Sequence, residues 1–345
     1  MDFDRLLFFW GHHFVLLGVT VSLALSLNLI NGFCGLFSLG HQGFWGVGAY
    51  MTAVLLTVLP SGEAGLFLFA LSFPLSMFAA ALCGLFVGVP CLRLRGDYLA
   101  IATLGFGEIL RNVAINSSFL GTSQGLSVPN VIRTTLEQTF GLNRLDARRG
   151  EMIFYMLLSA GVAALTLLIL RNLMRSAHGR AITAIRDDET AAELLGVNLT
   201  RYKVLVFVLG AALAGLAGAV YANYQRYVSP NQFGFMQGVT ILVIVVMGGM
   251  GSFTGTIVAG VLIYALPVLL SFAPGTWQVP VFYDPTQGGD GWVHRSPKDL
   301  WQVFFSILLI VVVLLRPQGI MGTREFSLAA LFRRKPPAPP KEAGA

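Results

Sequence analysis

The sequence predicts an all-α membrane protein, a polytopic bundle of about eight to ten transmembrane helices. Of its 345 residues, 55% are hydrophobic and 12% are charged, and the mean hydropathy is +0.71. Soluble domains contain about 25% charged residues, so this composition excludes an ordinary soluble protein. Apolar runs of about 20 residues, long enough to cross the hydrocarbon core as a helix, recur along the chain. This recurrence indicates that the chain crosses the bilayer many times.

Nine apolar segments are the candidate spans. They are 13–31, 43–59, 66–89, 98–117, 152–171, 203–224, 238–250, 255–272 and 300–315. The sequence leaves open whether the glycine-containing segment 32–42 forms a further short crossing. The segments predict one transmembrane domain over residues 1–325, interrupted by a cytoplasmic loop at about 175–202. The tail 326–345 ends in a proline-rich run with few apolar residues, so we predict that it is disordered.

Basic residues predict the orientation of the chain. They concentrate in the short loop at Arg93 and Arg95, in the loop 171–203, and in the tail from Arg316 onward. The positive-inside rule assigns all three regions to the cytoplasm, and counting spans then puts the N-terminus outside. This pattern accounts for the net charge of +6 without a nucleic-acid partner. The region 118–151, external in this arrangement, weakens the prediction because it also contains arginines: Arg133, Arg144, Arg148 and Arg149.

Residues that could catalyse a reaction or bind a metal do not cluster in the sequence. Cys34, Cys83 and Cys91 lie in or beside apolar segments without a C-x-x-C spacing, which is typical of small hydrophobic residues. The five histidines form no Ser-His-Asp pattern. The chain also lacks a G-x-x-x-x-G-K-[ST] phosphate loop. We therefore predict no catalytic site, no metal site and no cofactor bound by this chain.

The loop 171–203 contains a short amphipathic helix, predicted over residues 187–196. Asp187 or Asp188 can cap its start, and Gly196 supplies a left-handed stop. Small and apolar residues on the helix form an exposed face: Ala191, Leu194 and Leu195. Such a helix either lies on lipid headgroups or its own bundle, or docks against a cytoplasmic partner.

Polar residues inside the apolar segments are the second notable set. Glu108 and Arg111 are three residues apart and can pair on one helix face, with Asn112 beside them. Ionisable residues in a bilayer usually face the bundle interior or water. Gly248 and Gly249 would allow close helix packing or a broken helix. These five residues are either structural or line a translocation path.

Several segments resemble the permease subunits of ABC importers. The run Thr190–Gly196 (TAAELLG) is similar to their E-A-A-x-x-x-G loop, with Thr190 at the Glu position. Further segments resemble the LivM-type branched-chain amino acid permease: Gly35–Phe44, Leu92–Glu108, Gly248–Ser252 and Arg316–Gly319. The resemblance covers roughly residues 14–322. Gly121–Leu126 departs from the family pattern, and residues 275–298 resemble an external insertion.

This resemblance implies an ABC importer in the bacterial inner membrane. Its parts would be two permease subunits, two cytoplasmic ATPases that bind ATP and Mg²⁺, and an extracytoplasmic substrate-binding protein. The cargo would be branched-chain or other apolar amino acids, carried by alternating access. The loop helix would be the ATPase-coupling site, and its residues are Asp188, Glu189, Ala191, Ala192, Glu193, Leu194, Leu195 and Gly196.

Alternative functions stay open at this point. Permeases for urea or short amides also resemble this chain. An ion-coupled secondary transporter would need a buried acidic ion site, for which Glu108 is the strongest candidate, although Arg111 can pair with it. An intramembrane enzyme is disfavoured because the sequence contains no catalytic constellation. The exact cargo, and whether the paired permease is identical or different, are not fixed by the sequence.

Overall fold

In a computed structural model, the chain folds as a bundle of α-helices. They are α1 (Phe3–Asn28), α2 (His41–Val58), α3 (Gly65–Cys91), α4 (Asp97–Asn116), α5 (Val131–Thr139), α6 (Arg144–Arg175), α7 (Ala177–Asp187), α8 (Glu189–Leu194), α9 (Leu199–Gln225), α10 (Phe235–Gly248) and α11 (Phe253–Ser271). The structure describes residues 3–59, 65–92, 94, 96–139, 141, 143–271, 279–283, 292–295, 306–307, 310, 314 and 319–322.

The described helices confirm a polytopic helical bundle. Six of them are long and apolar enough to cross a membrane: α1 with the turn that follows it, α3, α4, α6, α9, and α10 with the turn before it. α11 contains a shorter apolar helix over Phe253–Leu266. α2 has 18 residues and is buried over most of its length. Most of the ninth candidate span, 300–315, and the whole predicted tail 326–345 lie outside the described residues.

The segment 32–42 does not form a further spanning helix. α1 ends in a π turn over Leu29–Phe33, and residues 35–40 have no regular secondary structure before α2 begins at His41. Asn31 closes this turn, because its side-chain amide donates to Ser38 O and its Oδ1 accepts from Ser38 N, both at 3.2 Å. The glycines here therefore shape a packed turn and not a tenth crossing.

α9 lies at the centre of the bundle and packs against α1, α2 and α3. Glycines on α2 and α9 allow the two backbones to touch. A Cβ built on Gly48 would lie 2.2 Å from Gly215 O, and one built on Gly218 would lie 2.3 Å from Trp45 O. Small residues at such positions permit the close van der Waals packing that holds helices together in lipid.

The loop 171–203 and the segment 319–322 lie at one end of the bundle. Arg186 in α7 donates to Gly32 O at the end of α1 (3.3 Å), and Ile320 N donates to Met247 O near the end of α10 (2.8 Å). At the opposite end, strand β1 (Leu126–Ser127) pairs antiparallel with strand β2 (Tyr227–Val228). The distribution of basic residues predicts that the loop 171–203 and the C-terminal part of the chain share one end of the bundle.

The arginines that weaken the orientation prediction have partners at this opposite end. Arg149 Nε lies 2.7 Å from Asp4 Oδ1, and Arg133 Nε lies 2.9 Å from Glu137 Oε1. Hydrogen bonds from Arg149 hold the pKa of Asp4 below its ordinary value of 3.8. The guanidinium of Arg148 lies 4.3 Å from the centroid of the Phe8 ring. Arg133 and Arg149, two of the four arginines in region 118–151, are thus paired with carboxylates.

The region 275–298 contains an antiparallel pair of strands, β3 (Val279–Tyr283) and β4 (Trp292–Arg295). The remaining residues of this region lie outside the part of the chain that the structure describes. That the region is an external insertion stays a prediction.

Candidate functional site

α8 is a short, capped helix at the end of the bundle that carries the loop 171–203. Asp188 is its N-cap, since Oδ1 accepts from the backbone N–H groups of Thr190 (2.8 Å) and Ala191 (3.0 Å). The predicted helix over 187–196 is thus divided, because α7 continues to Asp187 before the cap. Gly196 follows with φ +82°, a left-handed conformation that favours glycine.

The residues of α8 face in two directions. Leu194 and Leu195 are 85% and 83% exposed, whereas Ala192 is 2% exposed. Asp188, Ala191, Glu193 and Gly196 are also exposed, and Glu189 is half-buried. Ala192 is one of the predicted coupling residues, and its side chain packs against this chain's own structure. Its role in coupling stays a prediction. Its small size fits the space beneath α8.

Ionic contacts tie α7 and α8 to the membrane helices. Lys203 Nζ in α9 lies 2.6 Å from Glu189 Oε1 in α8, and the Lys203 side chain is only 11% exposed. Arg186 contacts both its neighbour Asp187 (3.1 Å) and the carbonyl of Gly32. A displacement of α8 would therefore act on α9 through Lys203 and on α1 through Arg186.

A buried amide extends this connection to the turn between α10 and α11. Asn28, fully buried in α1, accepts from Gly251 N at 2.9 Å and donates to Ser252 O and Thr256 Oγ1 at 3.0 and 2.7 Å. Gly248 is the last residue of α10 and Gly249 follows it in this turn. A Cβ on Gly248 would come within 2.6 Å of the Gly255 backbone. The two glycines make a close-packed turn at the same end of the bundle as α8.

A cavity of about 270 Å³ lies between α2, α4 and the 3₁₀ turn Pro230–Phe233. Most of its lining is glycine or apolar side chains, and the polar side chains among the lining residues are Tyr50 and Arg111. The α2 residues that line it recur with helical periodicity: Gly43, Gly46, Val47, Tyr50, Met51 and Val54. The cavity is therefore built on one face of α2.

The predicted pair of Glu108 and Arg111 forms beside this cavity. Arg111 Nη1 lies 3.1 Å from Glu108 Oε2, and Nη2 donates to Asn231 Oδ1 at 3.2 Å. Asn112 points elsewhere: it is exposed and donates to Glu108 O (2.9 Å). Of the five residues proposed for a translocation path, Arg111 lines the cavity. Glu108 lies beside the cavity as the partner of Arg111, and Asn112, Gly248 and Gly249 are not among its lining residues.

Three buried polar atoms at or beside the cavity have no hydrogen-bond partner among the described residues. They are the Tyr50 hydroxyl, Arg111 Nε and Glu108 Oε1.

Three residues of the candidate site were not predicted as functional from the sequence: Tyr50, Arg186 and Lys203. The spacing of Gly43, Val47, Tyr50 and Val54 could have indicated a common helical face, but not that α4 faces it.

No group of three or more His, Cys, Asp or Glu residues that could hold a metal ion occurs in the described ranges.

Comparisons with known proteins identify the relatives of the chain. Residues 12–313 match the family model described as the permease component of branched-chain amino acid transport systems. The chain is 38% identical over 319 residues to the high-affinity branched-chain amino acid transport system permease protein LivM of Salmonella typhimurium, covering 88% of this chain and 68% of that protein. It is 26% identical over 332 residues to LivH of Escherichia coli K12, covering 93% of this chain and 98% of LivH.

A relative named for a different substrate also matches. The fructose import permease protein FrcC of Rhizobium meliloti is 31% identical over 245 residues, covering 63% of this chain and 64% of FrcC. No solved structure matches the chain.

Proposed function

The chain belongs to the family of permease components of branched-chain amino acid transport systems, and we propose that it is one membrane subunit of an ATP-driven importer. The observation that carries this proposal is α8. It exposes Leu194 and Leu195 at one end of the bundle while Glu189 and the adjoining Arg186 connect it to membrane helices. A short helix with an apolar exposed side and ionic ties to the bundle suits transmission of movement from a partner.

The partners in this proposal are those of a binding-protein-dependent importer. A second permease subunit would complete the membrane domain in the bacterial inner membrane. Two cytoplasmic ATPases would bind ATP and Mg²⁺, and an extracytoplasmic binding protein would deliver the cargo. Residues 188–196 would receive the movement of the ATPases, and the contacts of Lys203, Arg186 and Asn28 would pass it to α9, α1 and the α10–α11 turn.

The proposed cargo is a branched-chain or other apolar amino acid. LivM and LivH are named as branched-chain amino acid permeases, which supports this choice. FrcC is named as a fructose import permease, so related permeases differ in cargo. The apolar lining of the cavity favours an aliphatic side chain over a polyol. An ion-coupled mechanism is less well supported because Glu108, its strongest candidate ion ligand, is paired with Arg111.

The coupling role of α8 is tested by placing charges on its exposed side. We expect the double variant Leu194→Arg, Leu195→Arg to insert normally but to lose the ATPases during purification. Docking of an ATPase on α8 would bury the two new charges without partners. Leu145→Arg is the matched control, since Leu145 is 65% exposed near the opposite end of the bundle. Retention of the ATPases and normal uptake by the double variant would remove the main support for the importer proposal.

A further inference from the structure

We propose that the cavity between α2 and α4 is a subsite for a zwitterionic α-amino acid with an aliphatic side chain. The proposal rests on the transport function proposed above and adds that the permease itself contacts and selects the cargo. Selection would then be shared with the binding protein instead of belonging to it alone.

The size of the cavity suits one such amino acid. A volume of about 270 Å³ has room for about nine water molecules at about 30 Å³ each. A solute with about nine non-hydrogen atoms, such as leucine or isoleucine, would fill a comparable space. Met51, Val54, Ala114 and Phe233 are among the residues that would surround its aliphatic side chain.

The unpaired polar atoms match the two charges of the ligand. Arg111 lines the cavity, and its Nε, which lacks a partner among the described residues, can donate to a carboxylate together with the rest of the guanidinium. Glu108 lies beside the cavity, 3.1 Å from Arg111, without lining it. Its Oε1 also lacks a partner among the described residues and could accept from an ammonium group that lies next to Arg111. The mutual pair neutralises both side chains while the subsite is empty, and a zwitterion offers each of them a replacement partner.

The Tyr50 hydroxyl supplies a third polar group at the same cavity. Buried polar atoms are normally hydrogen-bonded, and the Tyr50 hydroxyl, without a partner among the described residues, is therefore available to a ligand. Tyr50 is 8% exposed, so bulk water does not account for its partner. A sugar would leave most of its hydroxyls against apolar walls, and a lipid acyl chain would leave all three polar atoms unpaired.

Occupancy can be measured without ATP. Met51→Cys, or Val54→Cys if the first variant folds poorly, would report on the cavity in a background with Cys34, Cys83 and Cys91 replaced by alanine. The variant would be purified in the whole complex and alkylated with a small maleimide in the presence of leucine, fructose or urea. We expect leucine to slow labelling at least fivefold and fructose and urea to have no effect. Equal labelling rates in all three solutions would overturn the subsite.

Selection is measured by uptake into proteoliposomes that contain the complex, its binding protein and internal ATP. Ala114→Leu narrows the cavity, so we expect the leucine-to-alanine uptake ratio to fall about tenfold while affinity of the binding protein stays unchanged. Ile109→Leu is the control on the same helix, because Ile109 is 57% exposed and does not line the cavity. Tyr50→Phe should raise the KM for leucine with less effect on kcat.

The two proposals fail in different ways. ATP-independent uptake by the wild-type complex would overturn the importer proposal. It would not affect leucine protection of the Met51→Cys or Val54→Cys variant, because that measurement uses no ATP. Normal ATP-dependent uptake with an unchanged leucine-to-alanine ratio in Ala114→Leu would overturn the subsite alone. Tightly held lipid in the cavity that leucine does not displace would also overturn the subsite.

Discussion

α9 and α4 are both long apolar helices, yet they have opposite surroundings. In the apolar window of α9, 78% of the residues are buried, against 28% in α4. α9 packs on its neighbours through glycine and alanine, whereas α4 exposes large side chains such as Tyr98 (73%) and Ile101 (66%). The bundle therefore has a densely packed centre around α9 and, at α4, a flank whose large side chains are exposed. The candidate subsite lies between this flank and α2.

The largest expected effect comes from adding a methyl group at the centre. Gly48→Ala places a Cβ 2.2 Å from the Gly215 carbonyl oxygen, so the α2–α9 contact must open. We expect a loss of about 1–3 kcal/mol in the free energy of unfolding, measured as a lower thermal midpoint in detergent. Gly105→Ala in α4 is the control, because its Cβ would meet nothing within 4 Å. Equal midpoints for the two variants would contradict the contrast between the helices.

An effect of similar size or smaller is expected from removing a buried amide. Asn28→Ala leaves the backbone N–H of Gly251 without its acceptor in the interior, at a cost of about 1–3 kcal/mol. Asn112→Ala on the exposed side of α4 should change stability by no more than about 0.5 kcal/mol. Both are read from thermal midpoints, and leucine uptake should fall only in Asn28→Ala. A stable, active Asn28→Ala would show that α1 and the α10–α11 turn are not coupled by this residue.

The smallest expected effect comes from breaking the ion pair between Glu108 and Arg111 on α4. Glu108 and Arg111 are 27% and 28% exposed, so their pairing should contribute about 0.5–1 kcal/mol, less than a fully buried pair. We expect Glu108→Gln and Arg111→Gln each to lower folded yield more than the double variant does. Thermal midpoints of the four proteins give the coupling energy. Additive losses would mean that the two side chains act separately.

The sequence predicted the bounds of the helices better than it predicted which helices pack against each other. The predicted spans 98–117 and 43–59 differ from α4 and α2 by one or two residues at each end, because apolar segment length is limited by the hydrocarbon thickness. α6 begins eight residues earlier than the predicted 152, since its first two turns contain Asp146, Arg148 and Arg149 and carry no apolar signal.

The candidate site was only partly predictable. Spacing alone pairs Glu108 with Arg111, because residues three apart on a helix share a face. The cavity depends on which helix lies opposite α4, and periodicity in one chain segment contains no such information. Ala192 shows the same limit: its small size is visible in the sequence, but the side of α8 that it occupies depends on packing against the rest of the chain.

The π turn at Leu29–Phe33 makes the length of this segment as important as its composition. A π turn holds one residue more than the α-helical turn it replaces, and each residue of an α-helix rotates the chain by about 100°. Deleting a single residue here would rotate the carbonyl of Gly32 away from Arg186 and break their hydrogen bond. The residues that follow in the turn would rotate by the same angle. Across the history of this chain, insertions and deletions should therefore be tolerated in the loops at the opposite end of the bundle and eliminated at this point of α1.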